Sequence, residues 1–412
     1  MAATILNSSM ILNESLMLLE GTCNALKAVN RQFDNQFGKE GTYGKPGTSL
    51  KIRKPIEVTV REGRVAQPQD TVEETVTISC TNQVGVDLPA FTSEQMKMNI
   101  NDFSKQYLQT PMATLASYID KKVLEYYSSF YHSVGVAGTT PNTYLVFGQA
   151  KQKLVEVGAT MNDGKVKAII DPDADVTMAD ALKGLFGPRG KLDDQYNSGS
   201  MKPATGLEFL VDQNVKTHTN GTRVGTILVD DNTSTNIAEG MTTIHIDGLT
   251  NATDTVKAGD VFTIANVYAV SPLSKVQYGH LQQFTVTADA TAASNEVDIT
   301  FTPAIRSTGA RQNVSALPAD GAAVSFYGAA SGQGESLVSR QNLVLHEDAM
   351  TMVTADLMLP KGVHEAARKK YKNISMRMIT DYNSTNDTFL TRFDIFYGIT
   401  VVRPELGVRV WG

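Results

Sequence analysis

Residues 92–132, TSEQMKMNINDFSKQYLQTPMATLASYIDKKVLEYYSSFYH, decide the fold because they have the pattern of one long amphipathic helix. Apolar side chains recur every three or four residues, which keeps them on one helix face. They are Met96, Ile100, Phe103, Tyr107, Met112, Leu115, Ile119, Val123, Tyr127 and Phe130. A continuous helix of about forty residues, at 1.5 Å per residue, is a rod of roughly 60 Å.

Pro111 interrupts this pattern and has two interpretations. It either kinks one helix or takes the first position of a second helix capped by Thr110. Thr92 or Ser93 supplies a hydroxyl that can cap the first turn. So long a rod favours a flat, extended shell subunit, and a core helix of a larger α+β domain is the alternative.

Upstream, residues 50–82 predict a long β-hairpin, because Ile56, Val58 and Val60 alternate along its first strand. Residues 50–64 carry five basic and two acidic residues, and the return strand carries three acidic residues. These charges either pair across the hairpin or are recognised by a neighbouring subunit. Arg61 and Arg64 lie near the tip, where a long ribbon has least support from its own chain, so we take them as candidate intersubunit contacts.

Residues 1–34 contain an amphipathic helix, which is either an arm that docks elsewhere or a packed N-terminal helix. Further on, 143–157 predicts a helix capped by Asn142, and 165–170 predicts a buried strand. The aspartates of DPDAD at 171–175 resemble the start of a calcium loop. The glycine and the bidentate glutamate of such a loop are missing, so helix capping is the better interpretation.

From residue 222 to 330 the composition changes to short alternating runs separated by turns. The runs lie at 226–229, 242–246, 260–265, 284–287 and 297–301, which predicts a small antiparallel β-barrel inserted into a parent domain. Between 223 and 328 there are ten acidic and five basic residues. The loop at 230–240 is polar and acidic, and His245 is expected on the solvated face of a strand. The chain closes with strands at 388–397 and 399–402.

Composition excludes several classes of protein. The 412 residues carry a net charge of −6 and are 19% charged, which argues against a general nucleic-acid binder. The two cysteines form no CxxC pair, so free thiols in a reducing cytoplasm are expected. There is no secretion signal and no apolar run long enough to span a membrane.

The search for catalytic chemistry finds no phosphate loop, no dinucleotide fingerprint and no nucleophile elbow. Six histidines are scattered without a metal-binding spacing. The basic cluster at 368–372 either faces nucleic acid or is a solvated charge run, and the latter is commoner. We therefore predict a protein that is not an enzyme and has no catalytic residue, cofactor or metal.

Three features together resemble one family. They are YGITVVRPELGV at 397–408, VKAGDVFTIANVYAVSP at 256–272, and the long helix that follows the charge-divided hairpin. In this order they are similar to the tailed-phage major capsid (coat) proteins of the HK-97-type fold. The resemblance is closest to the short-tailed-phage coat family, which has an inserted telokin-like I-domain.

The resemblance implies a domain plan and a function. The plan is 1–34 N-arm, 35–85 E-loop hairpin, 86–140 P-domain with the spine helix, 141–221 part of the A-domain, 222–330 inserted β-barrel I-domain, and 331–412 the remainder of the P- and A-domains. The implied function is self-assembly into hexamers and pentamers of an icosahedral virion shell around double-stranded DNA. Implied partners are a scaffolding protein and a portal, with assembly in the host cytoplasm and no membrane.

The resemblance also assigns the 230–240 loop to contacts with a neighbouring capsomer. Asp230, Asp231 and Glu239 then join Arg61 and Arg64 as candidate intersubunit residues. One alternative is an encapsulin-like compartment, which a protein cargo would distinguish from a packaged genome. The other is a β-rich glycan-binding protein or enzyme, which turnover or glycan binding by the monomer would reveal.

Overall fold

The structure is a computed structural model of the chain, and it describes residues 8–33, 49–61, 63–66, 73–88, 91–92, 103–159, 165–182, 206–231, 237–328 and 336–412. A few helices and many strands make the fold α+β, as predicted. The chain divides into two compact units. The first combines Met1–Lys54, Glu74–Val123 and Met350–Val402, and the second combines Pro55–Glu73, Leu124–Ala349 and Arg403–Gly412.

The α-helices of the described residues are α1 (Ser8–Thr22), α2 (Gln109–Leu124), α3 (Tyr144–Glu156) and α4 (Pro172–Leu182). The described strands, in chain order, are β1 (Ser49–Arg53), β2 (Thr75–Ser79), β3 (Asn82–Asp87), β4 (Phe91–Thr92), β5 (His132–Gly135), β6 (Val166–Ile170), β7 (Glu208–Val211), β8 (Thr217–Thr219), β9 (Gly225–Val229), β10 (Thr243–Leu249), β11 (Thr255–Val256), β12 (Val261–Val270), β13 (Gln277–Val286), β14 (Ala290–Thr291), β15 (Val297–Thr302), β16 (Val324–Phe326), β17 (Val338–His346), β18 (Met350–Ala355), β19 (Glu365–Tyr371), β20 (Ile374–Asn383), β21 (Thr388–Val401) and β22 (Gly407–Trp411).

The first unit is organised around the long strand β21. Among the described strands the order is β18–β21–β20–β19, and β3 and β4 also pair with β21. The prediction of two closing strands, 388–397 and 399–402, is wrong. The chain stays extended through Gly398, which pairs with Val353 of β18, so a single strand crosses the whole sheet.

Helix α1 packs on β19 and β20 of the same unit. Its predicted apolar stripe is confirmed, since Leu12, Leu16, Leu19, Cys23 and Leu26 are all buried. The carboxylate of Asp120, on α2, accepts the backbone N–H groups of Asn24 and Leu26 at 2.8 and 3.1 Å. The N-terminal helix is therefore packed against its own chain.

In its described part, the predicted rod runs without a break through Pro111. A π-helical turn, Ser104–Leu108, leads directly into α2, and Gln109 keeps helical dihedral angles (φ −57°, ψ −54°). Proline has no N–H to close the preceding turn, and a wider turn is one way for a helix to accommodate it. The interpretation of a second helix capped by Thr110 is wrong, because Thr110 lies inside α2.

The ends of this helix also differ from the prediction. After α2 the chain tightens into a 3-10 helix, Glu125–Ser129, and Phe130 is extended (φ −94°, ψ 127°). The predicted helix includes His132, but His132–Gly135 forms β5 and pairs in parallel with β22. The ladder to another strand therefore holds the predicted last helical residue extended. At the other end Thr92 belongs to β4, and 93–102, where the predicted helix begins, lies outside the described residues.

The predicted hairpin is present but shorter than expected. β1 and β2 pair in antiparallel register, and the N–H of Lys54 donates to the carbonyl of Glu74 at 2.9 Å. Opposite charges meet at this point, since Lys54 Nζ lies 3.4 Å from Glu74 Oε2. The next residue, Pro55, has no N–H for a ladder. Residues 55–61, predicted as the outer part of the strand, form no strand.

The second unit contains a mixed sheet. Its described strands run β5–β22–β17–β6–β7, and β8 pairs with the start of β17. Helix α3 buries Phe147, Ala150 and Leu154 against this sheet. The predicted cap is wrong by one residue, since Thr143 rather than Asn142 precedes α3. The capping role of Asp171 is confirmed, because its Oδ2 accepts the N–H of Asp173 in α4 at 3.3 Å.

Residues 225–326 form a barrel. The described strands run β16–β12–β13–β15–β10–β9, and β9 closes the circle. The N–H of Val229 donates to Ala322 at 2.9 Å, and that of Gly321 donates to Val229 at 2.8 Å. Closure satisfies the backbone groups that an open sheet exposes at its edges. Four phenylalanines fill the centre with ring centroids 5.3 to 5.6 Å apart, namely Phe262, Phe284, Phe301 and Phe326.

Candidate functional site

The two arginines of the predicted hairpin tip lie in an exposed segment. Arg61 Nη1 donates to the carbonyl of Val65 at 2.7 Å and also to that of Gly63, so its guanidinium holds the local turn. Arg64 is exposed, and no hydrogen bond or ion pair joins it to another described residue. Of the two, Arg64 has its guanidinium available for a partner, and Arg61 shapes the tip.

The apolar side chains of the same segment are also exposed. Ile56 is 52% exposed, Val58 is 60% exposed and Val60 is 90% exposed. In the sequence these three residues alternate with Glu57 and Thr59. β-Branched residues in this arrangement normally pack against a sheet, and contiguous exposed apolar surface marks a site of association. Segment 55–61 therefore has the character of a surface that is covered by a partner.

The three acidic candidates do not form one site. Asp231 Oδ1 accepts the N–H of Ile237 at 3.2 Å. Glu239 accepts the N–H of Ser307 at 3.0 Å and also binds the hydroxyl of that serine, so it ties its loop to the barrel. Asp230 Oδ2 lies 3.7 Å from His245 Nε2. All three carboxylates already have partners within the chain, and 232–236 lies outside the described residues.

His245 is not on a solvated face, contrary to the prediction. It is 8% exposed, and its Nδ1 lies 2.6 Å from Asp298 Oδ1 on the paired strand β15. Its Nε2 faces Asp230 and also Glu296, whose Oε2 is 3.5 Å away. Burial opposes the charged form, but the hydrogen bond to Asp298 and the other carboxylates outweigh it and raise the pKa of His245. The imidazole thus holds together three acidic groups of the barrel.

A buried carboxylate lies where the barrel meets the mixed sheet. Asp260, just before β12, is 0% exposed. Its Oδ2 accepts from Arg223 Nη1 at 2.6 Å, and its Oδ1 accepts from His218 Nε2 at 2.8 Å. The backbone N–H groups of Lys257 and Gly221 donate to it as well, at 2.9 and 3.2 Å. Burial raises the pKa of Asp260, but His218 and Arg223 bring it below its ordinary value.

A second buried guanidinium belongs to the same region. Arg409, on β22, is 0% exposed and donates Nη1 to the carbonyl of Gly259 at 2.7 Å and Nε to Gln341 Oε1 at 2.9 Å. Burial lowers the pKa of Arg409 to about 10, so it stays charged at neutral pH. The Arg223 Cζ atom lies 3.7 Å from the centroid of the Phe326 ring, and this contact offsets part of the desolvation cost.

These groups have the geometry of anchors and not of a reactive site. Asp260 is saturated with donors and has no exposed surface. Among the described residues, no group of three or more His, Cys, Asp or Glu side chains could hold a metal ion. Cys23 and Cys80 are buried free thiols, and burial raises the pKa of Cys23, which makes it unreactive. None of the described helices has the length and apolar character to cross a membrane.

Sequence reasoning missed the buried charges and the His245 cluster. His218, Arg223, Asp260 and Arg409 are far apart in the chain, and nothing in their local sequence distinguishes them from surface residues. For His245 a signal existed, because the barrel register places it opposite Asp298. That signal can be read only once the register of β10 and β15 is known.

A comparison with family models decides the identity of this fold. Residues 45–412 match the model described as "P22 coat protein - gene protein 5". The chain belongs to the P22 coat protein family. It is therefore a bacteriophage coat protein, a structural component of the virion, and not an enzyme. No curated protein sequence matches this coat protein significantly.

Several solved structures are similar to this coat protein at low identity. A structure of Mycobacterium phage Che8 is 10% identical in sequence and has a TM-score of 0.45. The aligned region covers 94% of this chain and 90% of the Che8 chain. A capsid structure of Cyanophage P-SCSP1u is 10% identical, with coverage of 89% and 83% and a TM-score of 0.41. A mature capsid of bacteriophage PhiM1 is 8% identical, with coverage of 89% and 82% and a TM-score of 0.40.

Proposed function

We propose that this coat protein assembles into hexamers and pentamers of an icosahedral shell of the HK-97 type, which encloses double-stranded DNA. The observation that carries the proposal is segment 55–61, whose apolar side chains Ile56, Val58 and Val60 are all exposed. A protein that stays monomeric has little use for such a surface, and a subunit of a shell covers it with its neighbour.

The domain plan stands as part of this proposal. Residues 1–34 form the N-arm, 35–85 the E-loop, 86–140 the P-domain with its spine helix, and 141–221 part of the A-domain. Residues 222–330 form the inserted I-domain, and 331–412 complete the P- and A-domains. A scaffolding protein and a portal act during assembly in the host cytoplasm, and the shell then contacts the packaged DNA without reading its sequence.

Electron microscopy of negatively stained expressed protein tests the main proposal. We expect closed shells of uniform size that are built from hexamers and pentamers. A preparation that stays monomeric under all assembly conditions, including added scaffolding protein, contradicts it. Nuclease-protected DNA in shells from infected cells separates a virion coat from a compartment that encloses protein cargo.

The E-loop arginines give a sharper prediction. Arg64 has no described partner, and an exposed guanidinium can form two parallel hydrogen bonds to a carboxylate of a neighbour. Arg61→Ala combined with Arg64→Ala is expected to lower assembly yield several-fold at low salt. The defect should resemble that of the unaltered protein at raised salt, because salt screens the same attraction. Assembly yield, followed by light scattering as a function of ionic strength, measures the effect of the double substitution and the effect of salt.

A matched control replaces the same two arginines by lysine. Lysine keeps the charge but forms no bidentate fork, so this variant should keep the salt dependence and recover part of the yield. If the double alanine variant has the yield and salt dependence of the unaltered protein, the tip arginines have no role in association.

The acidic loop at 230–240 is the second proposed contact surface. At the root of this loop Asp230 is half-buried and Asp231 is exposed, and in this proposal their carboxylates face a neighbouring capsomer. Glu239 has a different role, since it already binds Ser307 within the chain. It supports the contact by holding the loop, and the two aspartates supply the charge.

The proposed I-domain should fold as an isolated fragment of residues 222–330. The barrel has its own apolar core around Phe262 and Phe284, and its described strands close on themselves. We expect a dispersed amide NMR spectrum and a β-type circular dichroism spectrum from the fragment. Arg223 and Asp260 remain paired inside it, so the ion pair is retained. An unfolded fragment contradicts the description of this segment as an independent insertion.

A further inference from the structure

The contact between the barrel and the mixed sheet is polar. We call it the seam. At its centre, the N–H of Ser133 in β5 donates to Gln283 Oε1 at 2.8 Å, and Gln283 Nε2 donates to the carbonyl of Ser133 at 2.8 Å. Gln283 Nε2 also donates to the hydroxyl of Tyr327 at 2.6 Å. Ser133 and Gln283 are 1% and 4% exposed, so water has no access to these bonds.

Other hydrogen bonds extend the seam in both directions. Thr285 Oγ1 donates to the backbone carbonyl of Phe130 at 3.1 Å. The hydroxyl of Tyr278 donates to the backbone carbonyl of Glu156 at 2.9 Å. A small apolar cluster also lies here, in which Val261 of the barrel packs with Trp411 of the sheet. Specific hydrogen bonds give a smaller net free energy than apolar burial and are replaceable by water. A contact of this kind can open without unfolding either side.

Two histidines face each other across one end of the seam. His132, on β5, is 7% exposed, and burial followed by the charge of Lys153 lowers its pKa to about 3. His280, on β13, has its Nε2 3.5 Å from Glu156 Oε2, and its ring stacks on Tyr278. Burial and Lys153 together lower the pKa of His280, although Glu156 opposes them.

Lys153, on α3, supplies a positive charge to this end at acidic pH. Burial lowers the pKa of Lys153 to about 8, and Glu156 opposes that shift. Protonated His132 and His280 would therefore lie beside a third cation, and the carboxylate of Glu156 acts on Lys153 and His280.

A third histidine lies at the other end of the seam. His218, on β8, donates Nε2 to Asp260 and has its Nδ1 3.2 Å from the hydroxyl of Tyr127. Burial lowers the pKa of His218, the hydrogen bond to Asp260 raises it, and the charges of Arg409 and Arg223 lower it, with a net decrease. The closed seam therefore lowers the pKa of all three histidines.

Opening the seam brings these side chains into water, where the pKa of histidine is about 6.5. Below that value each hydrated imidazole binds a proton more readily than it does in the closed form. By linkage, acid then favours the open form by about tenfold per pH unit for every proton taken up. Lys153 is charged in both forms between pH 6.5 and 5, and Asp260 is ionised in both, so neither adds to the slope.

We propose that the seam is an acid-sensitive hinge, at which the barrel separates from the mixed sheet as a folded body when the pH falls below about 6.5. The device rests on the position of three histidines at one interface. His245 does not contribute, because its carboxylate partners Asp230, Glu296 and Asp298 all belong to the barrel and move with it.

Hydrogen exchange on the full chain tests the hinge. The N–H of Ser133 is bonded across the seam, so it exchanges when the seam opens, and amides of β12 report on the barrel. After correction for the intrinsic rate, the protection of Ser133 is expected to fall at least tenfold from pH 6 to pH 5. The protection of β12 should stay unchanged. The proposal is overturned if the protection of the Ser133 amide stays constant from pH 6 to pH 5. It is also overturned if the β12 amides lose as much protection as the Ser133 amide.

Variants then test whether the histidines carry the response. His280→Gln and His218→Gln keep a neutral hydrogen-bonding side chain, and each is expected to reduce the slope of log protection against pH, by at most about one. His364→Gln, an exposed histidine of the first unit, is the control and should leave the slope unchanged. If both seam variants keep the slope of the unaltered protein, the proposal is overturned. If a variant fails to fold, the pH series on the unaltered protein still tests the hinge.

Discussion

Asp260→Ala is expected to lower the free energy of unfolding by about 3–5 kcal/mol, the cost of leaving a buried charge without its partner. Arg223 is 0% exposed, and Asp260 is the carboxylate bonded to it. The substitution also leaves the backbone N–H groups of Lys257 and Gly221 without their acceptor. Equilibrium unfolding in urea, followed through the transition of the second unit, measures the loss of unfolding free energy.

Asp289→Ala is the matched control. This carboxylate accepts from Lys257 Nζ at 2.9 Å and from the N–H of Ala258 at 2.8 Å, so it belongs to the same turn as Asp260. Its side chain is 60% exposed, and we expect a loss below about 1 kcal/mol. If the two substitutions lowered the free energy of unfolding equally, burial of the Arg223–Asp260 ion pair would make no additional contribution to stability.

The pH dependence of the Asp260 contribution has a definite sign. Its pKa in the folded protein is below the ordinary value of 3.8, so the folded state favours the ionised form. The stabilisation is therefore complete above about pH 4 and is lost as the pH falls through the folded pKa. The seam histidines behave differently, since their depressed pKa values destabilise the closed form already below about pH 6.5.

Gly398→Ala is expected to destabilise the first unit by about 3 kcal/mol or more. A methyl group at this position would overlap the carbonyl oxygen of Ser79 and would lie 2.8 Å from its carbonyl carbon. The obstacle is backbone, which cannot rotate away as a side chain can. Hairpin strand β2 would have to move off β21, and β21 is the strand that organises the sheet. Thermal and urea unfolding both report the loss.

Gly21→Ala serves as the control in the same unit. Gly21 lies in α1 and has no atom within 4 Å of the added methyl position. Alanine is the better helix former by about 1 kcal/mol, so this variant should be slightly more stable than the unaltered protein. A neutral Gly398→Ala variant would show that β2 can shift without cost, and the close approach would then have no structural importance.

The fold was predictable where the signal was local and periodic. The stripe of α1 and the five alternating runs of the barrel depend on residues within one element, and the structure contains these elements. The prediction failed where a distant strand decided the outcome. The helical pattern continues to Phe130, but Phe130 is already extended and the ladder to β22 holds His132 in a strand. Gly398 resembles a strand break, and it is required because Ser79 passes so close.

The candidate contacts were predictable only in part. The sequence predicted that Arg61 and Arg64 lie near a hairpin tip, and both are exposed. The internal bonds of Glu239 and Asp231 depend on how loops of the barrel meet, and composition carries no information about that. The buried Arg223–Asp260 pair was invisible for the same reason, since the two residues are neighbours only after six strands have closed.

The bond between Gln283 and Ser133 has a consequence for behaviour at high concentration. β5 is the last described strand on its side of the mixed sheet, and an unpaired strand edge is a template for pairing with any other chain. One glutamine amide occupies the N–H and the carbonyl that such a chain would use. A shell protein accumulates to crowded levels before it is packed into particles. Gln283 therefore blocks edge-to-edge pairing of β5 and so opposes fibril formation. Fibrils should start from subunits whose seam has opened.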